Sequence, residues 1–86
     1  MADYSINVAR AARKELESLD ASEVKRIFPK IMALSKQPRP SGCLKLTGED
    51  TLWRIRVGDY RIIYEIDDTS EIIDIVRIRH RSRAYD

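Results

Sequence analysis

The sequence predicts an α+β domain, an N-terminal helical hairpin packed on one face of a small twisted antiparallel β-sheet, and three observations carry that expectation. Apolar residues recur at helical spacing as far as Leu34 and then switch to a period of two. The switch falls at Gln37-Pro38-Arg39-Pro40-Ser41-Gly42, a loop by its Pro and Gly content. Beyond it come short alternating runs separated by turn residues. Helices followed by a run of strands is the order of an α+β domain.

Taken in order, Tyr4, Ile6 and Val8 alternate with Ser5 and Asn7, the pattern of a short opening strand. Ala9, Ala12, Leu16 and Leu19 then recur at helical spacing, so Ala9–Leu19 reads as the first helix. Asp20 with Glu23 three residues later has the form of a capping box opening a second helix. Its apolar stripe is Val24, Ile27, Phe28, Ile31 and Leu34. Pro29 sits inside that stripe and predicts a kink, because proline removes one helical hydrogen bond and crowds the preceding turn. After the loop, Gly42–Leu46 reads as a short strand and Thr47-Gly48-Glu49-Asp50 as a turn. Thr51–Val57 and Tyr60–Ile66 read as strands joined by Gly58-Asp59, a pair suited to a two-residue type II′ hairpin. Asp67-Asp68-Thr69-Ser70 is a further turn, and Glu71–Ile78 the last strand.

Length and composition bound the function. Eighty-six residues make a single domain, 1–86, with no repeat or linker. A chain of this size buries only about 60–65% of its unfolded surface, so its core is small. With 43% hydrophobic and 35% charged residues it has the composition of an ordinary globule. No apolar run approaches the roughly 20 residues that cross a bilayer, so no membrane role is expected. Met1-Ala2-Asp3-Tyr4 is not a charged and apolar leader, which points to a cytoplasmic protein. Cys43 is the sole cysteine and His80 the sole histidine, too few for a disulfide or a zinc site. Cys43 reads as a small core residue. No metal or cofactor is expected.

Net charge is only +2, but its distribution is uneven. From residue 54 to the end there are seven arginines, seven acids and no lysine. If Gly58 and Asp59 form the loop, Val57 opposes Tyr60, Arg56 opposes Arg61, Ile55 opposes Ile62 and Arg54 opposes Ile63. Trp53, Ile55, Val57, Tyr60, Ile62 and Tyr64 then share the face toward the helices, and Arg54, Arg56 and Arg61 share the other. Like charges directly opposite each other destabilise a strand pair by about 0.2–1 kcal/mol. An external anion resolves that conflict, and guanidiniums on a rigid face suit a phosphate backbone. The bland reading is a solvated charged face screened by Glu65 and neighbouring acids. Arg77-Ile78-Arg79-His80-Arg81-Ser82-Arg83-Ala84-Tyr85 continues without a turn signal. Extended, it would project alternate arginines to one side. In that geometry His80 falls on the side opposite Arg81.

These residues resemble the RelE/ParE toxin superfamily, and within it the RelE-like ribonucleases. The likeness runs through Lys45-Leu46-Thr47-Gly48, then Trp53-Arg54-Ile55-Arg56-Val57-Gly58-Asp59-Tyr60-Arg61-Ile62-Ile63-Tyr64, and the ending His80-Arg81-Ser82-Arg83-Ala84-Tyr85. The last is similar to the family's His-Arg-x-x-x-Tyr close. The resemblance implies a RelE-like fold and a toxin of a type II toxin–antitoxin system. It implies entry into the ribosomal A site, cleavage of mRNA there, and neutralisation by a cognate RelB-like antitoxin. By motif position it makes Arg61, Arg81 and Tyr85 the catalytic residues. Lys45, Arg54, Arg56, Arg79 and Arg83 become RNA- or phosphate-binding, and His80 a candidate acid or base. Arg54 and Arg56 stand where well-studied members carry lysines, and Arg79 where relatives often have Gly.

Metal-free cleavage uses the substrate's own 2′-hydroxyl, which attacks the adjacent phosphorus and leaves a 2′,3′-cyclic phosphate and a 5′-hydroxyl. The expectation is that Arg61 and Arg81 clamp the scissile phosphate and that Arg54 and Arg56 position the strand. Guanidinium cannot accept a proton; of the residues the resemblance implies, Tyr85, with its phenol acidified by the arginines, is the preferred base. The alternative is that the ribosome and RNA arrange the hydroxyl and the toxin mainly supplies charge. Two alternatives stand beside this reading. One is a ParE-like DNA gyrase inhibitor on the same fold; the other is a noncatalytic RNA-binding module, whose mark would be exposed stacking aromatics.

Overall fold

The computed structural model describes residues 3–46, 48 and 51–83. The elements are β1 (Ser5–Val8), α1 (Arg10–Glu17), α2 (Ala21–Ala33), β2 (Leu44–Lys45), β3 (Leu52–Val57), β4 (Tyr60–Asp67) and β5 (Ile72–His80), then a 3-10 turn at Arg81–Arg83. They form one five-stranded sheet in the order β1-β5-β4-β3-β2, with both helices on one face. The two-layer α+β architecture is the one the sequence predicts. The sheet is mixed, however: β2 to β5 run antiparallel, while β1 pairs in parallel with β5. The helical hairpin returns the chain across the sheet, so β1 lies along the outer edge of the last strand. Ser5 N–H donates to Glu71 O and Ala9 N–H to Ile75 O at 2.9 and 2.8 Å. Register places Ile6 beside Ile73 and Val8 beside Ile75, which is why β1 alternates.

The helices depart from their sequence patterns in ways with identifiable causes. α1 is shorter than the apolar repeat because Ser18 closes it, its hydroxyl donating to Glu15 O at 2.7 Å. Asp20 is the N-cap of α2, but its side chain makes no capping bond. Glu23, the other half of the expected box, is drawn to Arg26, with Oε1 3.6 Å from Nη1. α2 runs continuously through Pro29, whose ring is exposed, so the hydrogen bond it forfeits lies on the watered side. Ile27, Ile31 and Leu34 are buried as expected; Phe28, one residue off that stripe, is 47% exposed.

The core lies between the helices and the inner face of β3–β5. Ile27, Ile31 and Leu34 meet Ile62, Tyr64, Ile73 and Ile75, all but fully buried. Tyr64 could not be buried without a partner for its phenol, which donates to Pro38 O at 2.7 Å. Burial pushes the Tyr64 pKa well above the usual phenol value. A second tie holds the same end of the sheet. Arg39 lies over the Trp53 ring at 5.0 Å, and its guanidinium bonds both carboxylate oxygens of Asp68 at 2.9 and 3.3 Å. Asp68 also accepts from the Tyr4 hydroxyl at 2.6 Å. The loop after α2 is thereby fastened to the β4–β5 turn.

Candidate RNA-phosphate site

The β3–β4 register is the one the sequence predicts: Arg56 opposes Arg61, Ile55 opposes Ile62, and Arg54 opposes Ile63. Gly58 takes φ +60, which a type II′ turn requires at its first central position. On the inner face Ile55, Val57, Ile62 and Tyr64 are buried, while Trp53 and Tyr60 are half-buried. Among the described residues, no helix covers the outer face.

A β-bulge sets what that outer face holds. The β4–β5 register shifts between Ile63 and Tyr64, which oppose Arg77 and Ile75, so Val76 is the extra residue. Ile73 and Ile75 point into the core. Unbroken alternation would send Arg77 and Arg79 after them. The bulge reverses the parity, so Ile78 is buried instead and Arg79 comes to lie directly across from Arg61. Arg56, Arg61 and Arg79 therefore form a row across three adjacent strands. Acids stand two rows away, where Glu65 faces Asp74. The outer face is thus basic at the hairpin end and acidic at the other.

Arg77 takes a different course. Its side chain turns over the sheet edge to Glu15 on α1, with Nη2–Oε2 at 2.9 Å, and Glu15 Oε1 accepts the Ile78 N–H at 2.7 Å. This occurs just past the end of β1, where the β5 edge would otherwise be open. Burial pushes the Glu15 carboxyl pKa up, but the Arg77 guanidinium, the Ile78 N–H and the charge of Arg79 outweigh it and hold the carboxyl below its usual range. Sequence patterning does not reveal this tie, since Glu15 reads as an ordinary exposed helix residue.

β5 ends at His80, which faces Tyr60 edge-to-face at 5.3 Å. The chain then turns sharply rather than continuing extended. Ser82 N–H donates to His80 Nδ1 at 3.2 Å, and Arg81 N–H donates to Asp59 O at 2.7 Å. These bonds bring Arg81 to the hairpin tip. Arg56, Arg61 and Arg81 line an open hollow of about 450 Å³, with Gly58, Asp59 and Ser82 at its rim. Asp59 Oδ1 lies 3.9 Å from Arg81 Nε, a loose contact between two exposed groups.

Of the residues singled out in the sequence, Arg56, Arg61 and Arg81 converge on this hollow, while Arg79, next to Arg61 in the row, lines a second hollow with Glu15, Tyr60 and His80. Arg54 shares the outer face one row further along β3. Lys45 does not join them: it opposes Trp53 and so lies on the helix side, while Leu44 stands beside Arg54. His80 lies on the side of Tyr60, with Nδ1 committed to Ser82. Arg83 belongs to the 3-10 turn. Tyr85 lies outside the described residues. Three guanidiniums around a hollow can bind an anion at several oxygens, but none can take a proton. Among the described residues no three His, Cys, Asp or Glu side chains gather as metal ligands.

Residues 6–85 match the family model of the ParE toxin of type II toxin–antitoxin systems, parDE. The chain belongs to the RelE/ParE toxin family. A Methanocaldococcus jannaschii protein assigned as a RelE toxin is 28% identical to this toxin over 85 residues, covering 95% of this chain and 94% of that one. The toxin is similar in structure to the archaeal RelE–RelB complex of Pyrococcus horikoshii, with TM-score 0.82, 30% identity, and 95% and 99% of the two chains covered. It is likewise similar to a RelBE toxin–antitoxin complex of Mycobacterium tuberculosis, with TM-score 0.81, 27% identity, and 92% and 99% covered.

Proposed function

We propose that this toxin is an endoribonuclease that cleaves mRNA in the ribosomal A site by attack of the RNA's own 2′-hydroxyl. The observation that carries the reading is the row Arg56–Arg61–Arg79 beside Arg81 on a face that no helix covers. Such a row costs stability in isolation and gains from a polyanion. Arg61 and Arg81 grip the scissile phosphate and stabilise charge as it builds on the phosphorane oxygens. Arg54, Arg56 and Arg79 hold the flanking backbone, and Arg83 is assigned to the same role by its place in the family's closing motif. The 2′-oxygen bonds to phosphorus, the bond to the 5′-oxygen breaks, and the departing oxygen takes a proton from water. Tyr85, as phenolate, is assigned as the acceptor of the 2′-hydroxyl proton. His80 is a weaker candidate, because its Nδ1 holds the turn that carries Arg81. The nucleophile belongs to the substrate, so the chemistry calls on no metal or cofactor.

The partner in this reading is a RelB-like antitoxin that covers the basic hollow, as the solved Pyrococcus and Mycobacterium relatives are toxin–antitoxin complexes. The setting is the cytoplasm, where ribosomes translate. One observation favours a second reading: the matching family model is described as ParE of parDE, which points to inhibition of DNA gyrase on the same scaffold. Ribosomes programmed with a defined A-site codon, incubated with purified toxin and mapped by primer extension, separate the two. Cleavage in that codon, leaving a 2′,3′-cyclic phosphate, is the expected outcome. Intact mRNA together with gyrase-dependent DNA breaks on expression would establish the second reading. Binding without cleavage would leave a noncatalytic RNA-binding module.

A further inference from the structure

Every basic residue placed around the hollow so far comes from a strand or from the C-terminal turn. The helical layer supplies one more. Arg26 of α2 reaches across to the tip of the β3–β4 hairpin, and its guanidinium lies against Gly58 so closely that a Cβ there would collide with it, Cζ being 3.0 Å from that position. Gly58 is required for its φ of +60, and its missing side chain is also what lets the Arg26 guanidinium lie this close. Gly58 also lines the hollow that holds Arg56, Arg61 and Arg81. The Arg26 side chain remains 56% exposed, and among the described residues its ion-pair contact, to Glu23 within the same helix, is 3.6 Å long. Among those residues its charge therefore lies against the hairpin tip without a close carboxylate to consume it.

We propose that Arg26 is a further RNA-backbone-binding residue, carrying the basic surface from the hollow over the hairpin tip onto α2. This rests on the nuclease reading and extends it. A strand gripped in the hollow by Arg61 and Arg81 and leaving over Gly58 meets the Arg26 guanidinium next. The ligand is a phosphodiester of RNA, supplied either by the cleaved strand beyond the scissile bond or by the ribosome wall facing the helices. Because Arg26 lies outside the hollow, it contributes to binding and not to the chemical step.

The test compares wild type, Arg26→Ala, Arg26→Lys and the control Lys25→Ala, an exposed neighbour on the same helix. KM and kcat are measured on programmed ribosomes across a salt series, and Kd on a fluorescently labelled single-stranded RNA. Arg26→Ala is expected to raise KM about three- to tenfold with kcat unchanged, and to reduce the log–log salt slope by about 0.7–0.9, the loss of one phosphate contact. Arg26→Lys should recover most of the affinity, and Lys25→Ala should match wild type. A parallel change in Kd for the labelled RNA assigns the phosphate to the cleaved strand; a change in KM alone assigns it to ribosomal RNA. If wild type cleaves while Arg26→Ala behaves as Lys25→Ala does, this inference falls and the nuclease reading stands. A fall in kcat at constant KM overturns it equally, marking Arg26 as a prop for the hairpin. If wild type cleaves no RNA at all, both readings fall together.

Discussion

At the scale of single residues, the arginines divide into those that line the hollow and those used to hold the fold. Arg61→Ala and Arg81→Ala should each slow cleavage of programmed mRNA by more than tenfold, since removing one donor to a developing oxyanion typically costs about 2.7–4 kcal/mol. Tyr85→Phe, which removes the phenolate that takes the 2′-hydroxyl proton, should do the same. Near-normal single-turnover rates in these variants would remove them from the site. Arg77 belongs to the other group. Glu15→Ala should destabilise the fold by about 1–3 kcal/mol, because the Ile78 N–H and the Arg77 guanidinium both lose their acceptor. Urea unfolding measures this. The Glu15 carboxyl is held below its usual value of 4.5, so its contribution is fully present above that pH and is lost as pH falls through the lowered value. Glu15→Gln should therefore flatten part of the acid limb of the stability curve. Asp67 and Asp68 are lowered as well, by Ser70 and by Arg39 respectively, and should account for part of the remainder. The positions of Arg56 and Arg61 were legible in the sequence because alternation and the Gly58-Asp59 turn fix the register. The juxtaposition of Arg79 with Arg61 depended on the bulge at Val76. Its only trace is the shift of apolar parity from Ile73 and Ile75 to Ile78.

At the scale of elements, the β3–β4 hairpin and the C-terminal turn act as one unit, joined by the Arg81–Asp59 hydrogen bond. The sequence carried the hairpin but not the turn, since nothing in Arg81-Ser82-Arg83 signals a stop; the 3-10 geometry is held by the tertiary partner Asp59 and by His80 Nδ1. The capping box at Asp20 and Glu23 misled for a related reason: Arg26, three residues on, competes for the glutamate. Far from the hollow, at the other end of β4, the Arg39–Asp68–Tyr4 cluster fastens the proline-rich loop. An exposed ion pair and a cation–π contact contribute only modestly to stability. Arg39→Ala should therefore lower stability slightly, alter Trp53 fluorescence and speed hydrogen exchange in the loop at 37–43, while kcat and KM stay unchanged. A change in kcat would show that the two ends of the sheet are coupled.

For the whole molecule, the fold class was readable because both helices precede the run β2–β5, so the period change near residue 37 divides them from it, with only β1 lying ahead of the helices. The parallel placement of β1 was not readable, since alternation in Tyr4–Val8 identifies a strand but not its neighbour. The charge layout has a whole-molecule consequence. Net charge is small, yet the outer face of the sheet runs from a basic hairpin end to the acidic pair Glu65–Asp74. KM on programmed ribosomes should therefore rise steeply with salt, while kcat changes little.

The central claim is that Arg61 and Arg81, from a strand and a terminal turn, act on one phosphate. A double-mutant cycle in single-turnover cleavage tests it directly. With both guanidiniums on the same group, Arg61→Ala and Arg81→Ala combined should cost clearly less than the two losses multiplied together, a coupling above about 0.5 kcal/mol. Strict multiplication of the two effects would contradict the account, as would wild-type toxin that leaves the programmed codon uncut.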